Sequence, residues 1–306
     1  MTDQMHVIVV MAPSGALVSR VLIENAVSAV QGQVVEAHRV AVPVSLADHR
    51  EVVKFLIDCP DPEKLSAQLR QLSDEHGADI ALQSRLSRCR PYGLAVFDMD
   101  STLISCEVID ELARVAGVGA EVAEITDRAM RGELDFDESF RTRLALLEGL
   151  DAGAVDELAD QLPVQSGLSE MATTLKARGL KLAIFSGGFI PIAERLKSDY
   201  GFDHVVANEL EIRGGKVTGK VVPPIVNREY KAEALGALAS RLGIHTEHCI
   251  AVGDGANDLS MMALAGLGVA FHAKPAVRAA SPIEITHIGL DGVCYLMGHE
   301  GEFAAA

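Results

Sequence analysis

The chain has 306 residues, 49% hydrophobic and 23% charged, a globular composition long enough for two domains. Its formal net charge of −16 excludes nonspecific binding to nucleic acid or to an acidic membrane surface. Five scattered cysteines with no C-x-x-C pair exclude a disulfide framework and a zinc site, which leaves reduced thiols as the reading. The first four residues carry no basic run, and the apolar run at 7–12 is too short for a signal peptide or a membrane span, so a cytoplasmic location is expected. The first 90 residues hold 11 acids against 9 bases, so the excess acidity belongs to the rest.

Residues 6–11 read as a buried strand, and Ala12-Pro13-Ser14-Gly15 as a turn into a helix over 16–30. Strands follow over 34–44 and 52–59. Asp61 suits an N-cap and Pro62 the first helical position, with Leu65, Leu69 and Leu72 on one face and Gly77 as the stop. A last strand covers 80–86. This βαββαβ order, with its turn into the first helix, resembles an ACT domain, a small α+β module that often binds an amino acid. Ala12 stands where many ligand-binding members carry an acidic residue, so a structural role or a homodimer through this module is set beside effector binding. Residues 87–92, with Pro91 and nearby arginines, read as a linker. The expected division is therefore 1–90 and 91–306.

A short apolar strand, 94–97, then ends in Asp98-Met99-Asp100. Two carboxylates so close repel each other, and a divalent cation is the usual remedy. From about 105 to 165 the pattern is helical throughout, with four helices placed to cover the preceding strand end as a cap. Alternation resumes with a helix over 168–178, a strand over 181–185 leading into Ser186-Gly187-Gly188, a helix over 190–199 and a strand over 204–208. A hairpin around Gly214-Gly215 follows, then a helix with Lys231 near its start. A strand over 249–252 runs into Gly253-Asp254-Gly255-Ala256-Asn257-Asp258, and strands at 267–271 and 284–287 complete the set. Such alternation specifies a doubly wound parallel sheet.

Three strand ends thus deliver Asp98 and Asp100, Ser186 and Gly187, and Asp254, Asn257 and Asp258 to one rim. Neither a dinucleotide fingerprint nor a P-loop is present. Carboxylates, a lysine, a serine and free amides suit a phosphoryl group held with a hard cation such as Mg²⁺. Taken singly, each residue has a plainer reading: an acidic loop for Asp98 and Asp100, a helix cap for Ser186, a solvated side chain for Lys231.

Taken together, Asp98-Met99-Asp100-Ser101-Thr102, Ser186-Gly187, Lys231 and Gly253-Asp254-Gly255-Ala256-Asn257-Asp258 resemble the haloacid dehalogenase superfamily. Glu107, Met130, Phe136 and Arg143 in the cap are similar to the substrate pocket of the branch that hydrolyses phosphoserine in the last step of serine synthesis. The resemblance covers about 91–300. It implies Asp98 as nucleophile, Asp100 as general acid and base, and Mg²⁺ bound by Asp98, the Asp100 carbonyl and Asp254. Ser186, Gly187, Lys231 and Asn257 would face the substrate, with Asp258 behind the lysine and the metal. Glu107 would read an α-ammonium and Arg143 an α-carboxylate. The rivals are another phosphatase or phosphotransferase of the same fold, and an amino-acid sensor whose catalytic body is inactive.

Overall fold

The computed structural model describes residues 5–16, 18–46, 49–299 and 302–303. They fall into two compact units, Met1–Tyr92 with Ser166–Thr174 and Val269–Ala306, and Gly93–Gln165 with Leu175–Gly268.

The first unit begins with β1 (Met5–Pro13), α1 (Arg20–Ala29), β2 (Gln33–Arg39), β3 (Arg50–Asp58), α2 (Pro62–His76), β4 (Asp79–Ser84) and a single helical turn, α3 (Arg85–Arg88). The βαββαβ order is present, in an antiparallel sheet ordered β2-β3-β1-β4. Local chemistry sets the element ends. Ser19 Oγ accepts the Leu22 amide at 3.3 Å, so α1 starts at Arg20 and not at residue 16. The strand expected to reach residue 44 stops at Arg39; Pro43 has no amide to pair, and Val44–Leu46 turns helically. Asp61 accepts the Lys64 amide at 3.1 Å, and Gly77 closes α2 in the left-handed conformation at φ 63°. Ile8, Val10, Ile23, Val27, Phe55, Ile57, Leu65 and Leu69 form the core beneath the two helices.

The second unit opens with β5 (Leu94–Phe97) and four helices, α4 (Val108–Ala116), α5 (Gly119–Met130), α6 (Phe136–Ala145) and α7 (Gly153–Asp160). α8 (Leu168–Ala177) belongs to the first unit as far as Thr174, and the second unit then resumes with β6 (Lys181–Phe189), α9 (Ile190–Tyr200), β7 (His204–Arg213), β8 (Lys216–Val222), α10 (Arg228–Arg241), β9 (Cys249–Gly253) and α11 (Leu259–Leu264). β5 lies between β9 and β6, parallel to both; β7 is parallel to β6, and β8 is antiparallel to β7. Two boundaries differ from expectation. β6 continues through the Ser186-Gly187-Gly188 stretch to Phe189, and β7 is one strand where two segments were expected. Gly214 and Gly215 both take positive φ, the turn geometry that lets a two-residue hairpin extend its strands on either side. The hairpin also anchors the cap: Gly149 and Ala152 donate to Val217 and Gly215 carbonyls at 2.8 and 2.9 Å, and Val217 donates back to Leu150 at 2.9 Å.

From Val269 onward the chain returns to the first unit. β10 (Leu267–Phe271) pairs in parallel with β11 (Glu284–Ile285), with α12 (Pro275–Ala280) between them and α13 (Gly292–Leu296) after. α13 packs on β1, where Val7, Val9 and Met11 are as buried as the residues on its other face. Arg88 is fully buried and satisfied, donating to Gln83 Oε1, to Glu302 and to the carbonyls of Tyr295, Leu296 and Met297. Lys54, also buried, pairs with the same Glu302 carboxylate.

Asp79, at the start of β4, is fully buried and accepts three successive amides, Thr286, His287 and Ile288, at 2.6 to 3.2 Å. Those bonds explain why β11 ends at Ile285 and not at 287: the next amides are turned toward a carboxylate instead of a neighbouring strand. Burial pushes the Asp79 carboxyl up from its ordinary range, against the pull of the three amides and of His287. Asp79→Ala strands those amides and is expected to cost about 3 kcal/mol of unfolding free energy. A denaturant titration with an unchanged midpoint would contradict the assignment.

Candidate active site

The register of β5 builds the site. Phe97 stands opposite Val252 of β9 and Ile184 of β6, so the residues that follow each strand emerge together. The Asp98 amide makes one further bond to Val252 O at 2.9 Å. The chain then turns sharply, with the amides of Thr102, Leu103 and Ile104 all directed at Met99 O and Ser101 in the left-handed region at φ 58°. Gly188 packs closely against this turn: a Cβ there would lie 2.7 Å from Met99 Cε and 3.0 Å from Asp100 Oδ2, so a larger residue would have to displace both side chains.

Lys231, in the first turn of α10, is fully buried with its ammonium 2.8 Å from Asp98 Oδ1 and 2.7 Å from Asp258 Oδ1. Burial alone would lower its pKa, but Asp258 and Asp98 outweigh that and hold it above the ordinary lysine range. Asp258 also takes the Gly255 amide on Oδ2 at 3.0 Å. A Cβ at Gly253 would sit 2.4 Å from Asp258 Cγ, so only glycine fits the end of β9. Burial, with Asp98 and Asp254 close by, pushes the Asp258 carboxyl up, and the ammonium pulls it back.

Asp98, Asp254 and Asp258, all buried, bring carboxylate oxygens within 4.8 Å of one another. With Asp258 committed to the lysine and an amide, Asp98 and Asp254 are the carboxylates that fit a hard divalent cation. Asp98 Oδ1 already accepts Lys231 and the Met99 amide, the latter at 2.7 Å, and no hydrogen bond among the described residues reaches Oδ2. Asp100 lies outside this cluster. Its Oδ1 is buried with no hydrogen-bond partner, and burial, with Glu107 and Asp98 nearby, pushes its carboxyl well above the usual carboxylate range.

The cap residues line up on Asp100. Glu107, the residue before α4, accepts Ser101 Oγ at 2.8 Å. Arg143 is held by burial below its ordinary value, against the pull of Asp110, Glu107 and Asp100, which places all three carboxylates in its field. Phe136 stacks on Phe140 at the start of α6, and Asn257 shares with it an open cleft that also takes in Asn227. Met130 ends α5, and its side chain lies outside the described residues. Ser186 is fully buried, with Oγ accepting the Gly188 amide at 2.8 Å. Two residues of the site stand outside the expected set. Thr102 Oγ1, buried, donates to Asp254 at 3.3 Å. Asn208, buried on β7, donates to Gly187 O at 2.7 Å and accepts the Val226 amide at 2.8 Å. A lone polar residue after the apolar start of β7, level with the glycine loop, was the available signal for Asn208.

Residues 92–266 match the haloacid dehalogenase-like hydrolase model, and the chain belongs to that family. It is 45% identical over 243 residues to phosphoserine phosphatase SerB2 of Mycobacterium tuberculosis, a match over 79% of this chain that spans only 59% of the relative. It is 39% identical over 253 residues to the phosphoserine phosphatase of Archaeoglobus fulgidus, covering 82% of this chain and 74% of the relative. The crystal structure of a HAD family hydrolase from Salmonella enterica serovar Typhi superposes with a TM-score of 0.84 at 31% identity, covering 97% of this chain and all of that one. A third relative, the phosphoserine phosphatase of Vibrio cholerae, is 47% identical over 205 residues, covering 67% of this chain and 62% of the relative. No helix among the described residues is long and apolar enough to cross a membrane.

Cys106 lies between Ser101 and Glu107, and burial, with Asp100, Glu111 and Glu107 around it, pushes its thiol up to about 12. At pH 8 its thiolate is then on the order of one part in ten thousand. Iodoacetamide at that pH is expected to leave Cys106 unmodified in peptide maps of the folded protein; rapid labelling would contradict the acidic surroundings described.

Proposed function

We propose that the chain hydrolyses O-phospho-L-serine to L-serine and phosphate with Mg²⁺, and that the residues described above divide the work as follows. The observation that carries this reading is the contrast between two adjacent carboxyls. Asp98 is paired with an ammonium and an amide on Oδ1, while the Asp100 carboxyl is unpaired at Oδ1 and driven toward its protonated form. One is therefore a nucleophile and the other an acid.

Asp98 Oδ2 attacks phosphorus, the ester P–O bond breaks, and Asp100 gives its proton to the departing serine oxygen. Asp100, now a carboxylate, takes a proton from water as that water attacks the aspartyl phosphate, which releases phosphate and restores Asp98. Lys231 and the Ser186-Gly187 stretch face the phosphoryl oxygens, and Asn257 lines the approach. Asp98, the Asp100 carbonyl and Asp254 would hold Mg²⁺, which would supply positive charge to offset the repulsion of an anionic nucleophile and an anionic phosphate. Asp258 keeps Lys231 in place, and Thr102 does the same for Asp254.

Arg143 and Glu107 give the substrate class. A guanidinium and a carboxylate near the same Asp100 match the carboxylate and ammonium of an amino acid, with Phe136 closing the apolar side. Residues 1–90 are read as an ACT-like regulatory or dimerising module, supported by an unpaired edge at β2 where Val35 is exposed. Residues 91–306 are read as the catalytic domain with its cap at about 105–165. The absence of paired cysteines among the described residues supports a cytoplasmic setting.

The test is phosphate release with Mg²⁺ from L-phosphoserine, phosphoethanolamine and an aryl phosphate, for the wild type and Arg143→Ala. Wild type is expected to prefer phosphoserine clearly. Arg143→Ala should lose about a hundredfold in kcat/KM on phosphoserine and far less on the other two, which have no carboxylate to hold. Equal losses on all three would remove Arg143 from the pocket, and equal wild-type rates would discard the substrate.

A further inference from the structure

Asn227 stands where three functional parts of the second unit meet. It is the N-cap of α10, the helix of Lys231: its Oδ1 accepts the Tyr230 amide at 3.1 Å, and its carbonyl accepts the Lys231 amide at 3.0 Å. With Oδ1 so committed, Nδ2 is free to face outward. It donates to Asp137 Oδ1 at 3.1 Å, in the first turn of the cap helix α6. A carboxylate only accepts, so the direction of this bond is fixed at both ends.

The neighbours of Asn227 carry the same connection inward. The Val226 amide is held by Asn208, whose Nδ2 grips Gly187 O in the glycine loop. Phe136, beside Asp137, lies so close to that loop that a Cβ at Gly187 would be 3.3 Å from Phe136 Cζ and 3.6 Å from Val226 O. One polar chain therefore runs from Gly187 through Asn208 and Val226–Asn227 to Asp137, and it ends on the helix that bears Phe136 and Arg143. The far end of that cap helix is anchored separately, where the 149–152 segment bonds the β7–β8 hairpin. Among the described residues the Asp137 end has a single side-chain hydrogen bond to the core, the one from Asn227. Its other oxygen lies 3.7 Å from Arg141.

We propose that the Asn227–Asp137 hydrogen bond is a registration latch. It fixes the start of α6, and with it Phe136 and Arg143, at the height the phosphate loop and Lys231 require. Asn227 and Asp137 are positioning residues, and the inference rests on the substrate reading given above. The latch matters most for a substrate held at both ends, phosphate in the core and amino-acid head in the cap, because a small shift of α6 changes the distance between the two subsites. An ester held only by its phosphate does not register that distance.

A donor–acceptor swap tests it. Asn227→Asp keeps a good N-cap for α10 but sets two carboxylates against each other. It is expected to lower kcat/KM on L-phosphoserine about tenfold, chiefly through KM, with little change on an aryl phosphate and an unchanged melting temperature. Adding Asp137→Asn restores a bond of reversed direction, and the double variant should return to within about threefold of wild type. A loss that the second substitution does not repair would assign the effect to new charge near Lys231 and overturn the latch, as would no loss at all in Asn227→Asp. Wild-type indifference to phosphoserine would instead defeat the substrate reading. The latch would then be decided by amide hydrogen exchange at the start of α6, which should quicken in Asn227→Asp and recover in the double variant; no quickening would overturn it.

Discussion

The buried ammonium of Lys231, held between Asp98 and Asp258, is the interaction the site depends on. Three carboxylates within 4.8 Å inside a protein are strongly unfavourable unless positive charge stands among them. Lys231 supplies one such charge, and a divalent cation at Asp98 and Asp254 would supply more. Because the ammonium occupies Oδ1 of Asp98, it also orients that carboxylate, and in the proposed reaction the other oxygen is the one that attacks. Asp258 has no better place than behind the lysine, and the glycine at 253 exists because Asp258 comes so near the strand end.

Asp100 follows the opposite logic. It sits two residues beyond Asp98 on the same turn, yet among the described residues no cation forms an ion pair with it and its Oδ1 has no hydrogen-bond donor. Two carboxyls of identical chemistry are thereby set apart by surroundings alone, one paired with an ammonium and one pushed toward its protonated form. The cap reinforces the contrast, since Glu107 adds a further negative charge beside Asp100.

Much of this was legible in the sequence because it is local. The apolar runs at 94–97 and 249–253 and the acidic residues after them announce strand ends, and the four cap helices show their period directly. What escaped was set by contacts between residues far apart in the chain. β11 is two residues shorter than the strand expected over 284–287 because Asp79 takes the amides that would continue it. Arg88, read as part of an exposed linker, is buried because Glu302 lies 214 positions later and beside it in space. Asn208 and Asn227 each look like ordinary strand-end or helix-cap polar residues, and only the fold shows that their second hydrogen bonds reach the glycine loop and the cap. The start of α1 was missed for a local reason, the preference of Ser19 for capping over continuing the helix.

The account turns on covalent chemistry at Asp98. The most direct measurement is acid quench of the enzyme during turnover of phosphoserine with Mg²⁺, followed by borohydride reduction and peptide mass spectrometry. An acyl phosphate at Asp98 is reduced to homoserine at that position, and the account predicts this conversion only when substrate is present. No conversion at Asp98, or conversion at Asp100 or Asp254 in its place, would contradict it.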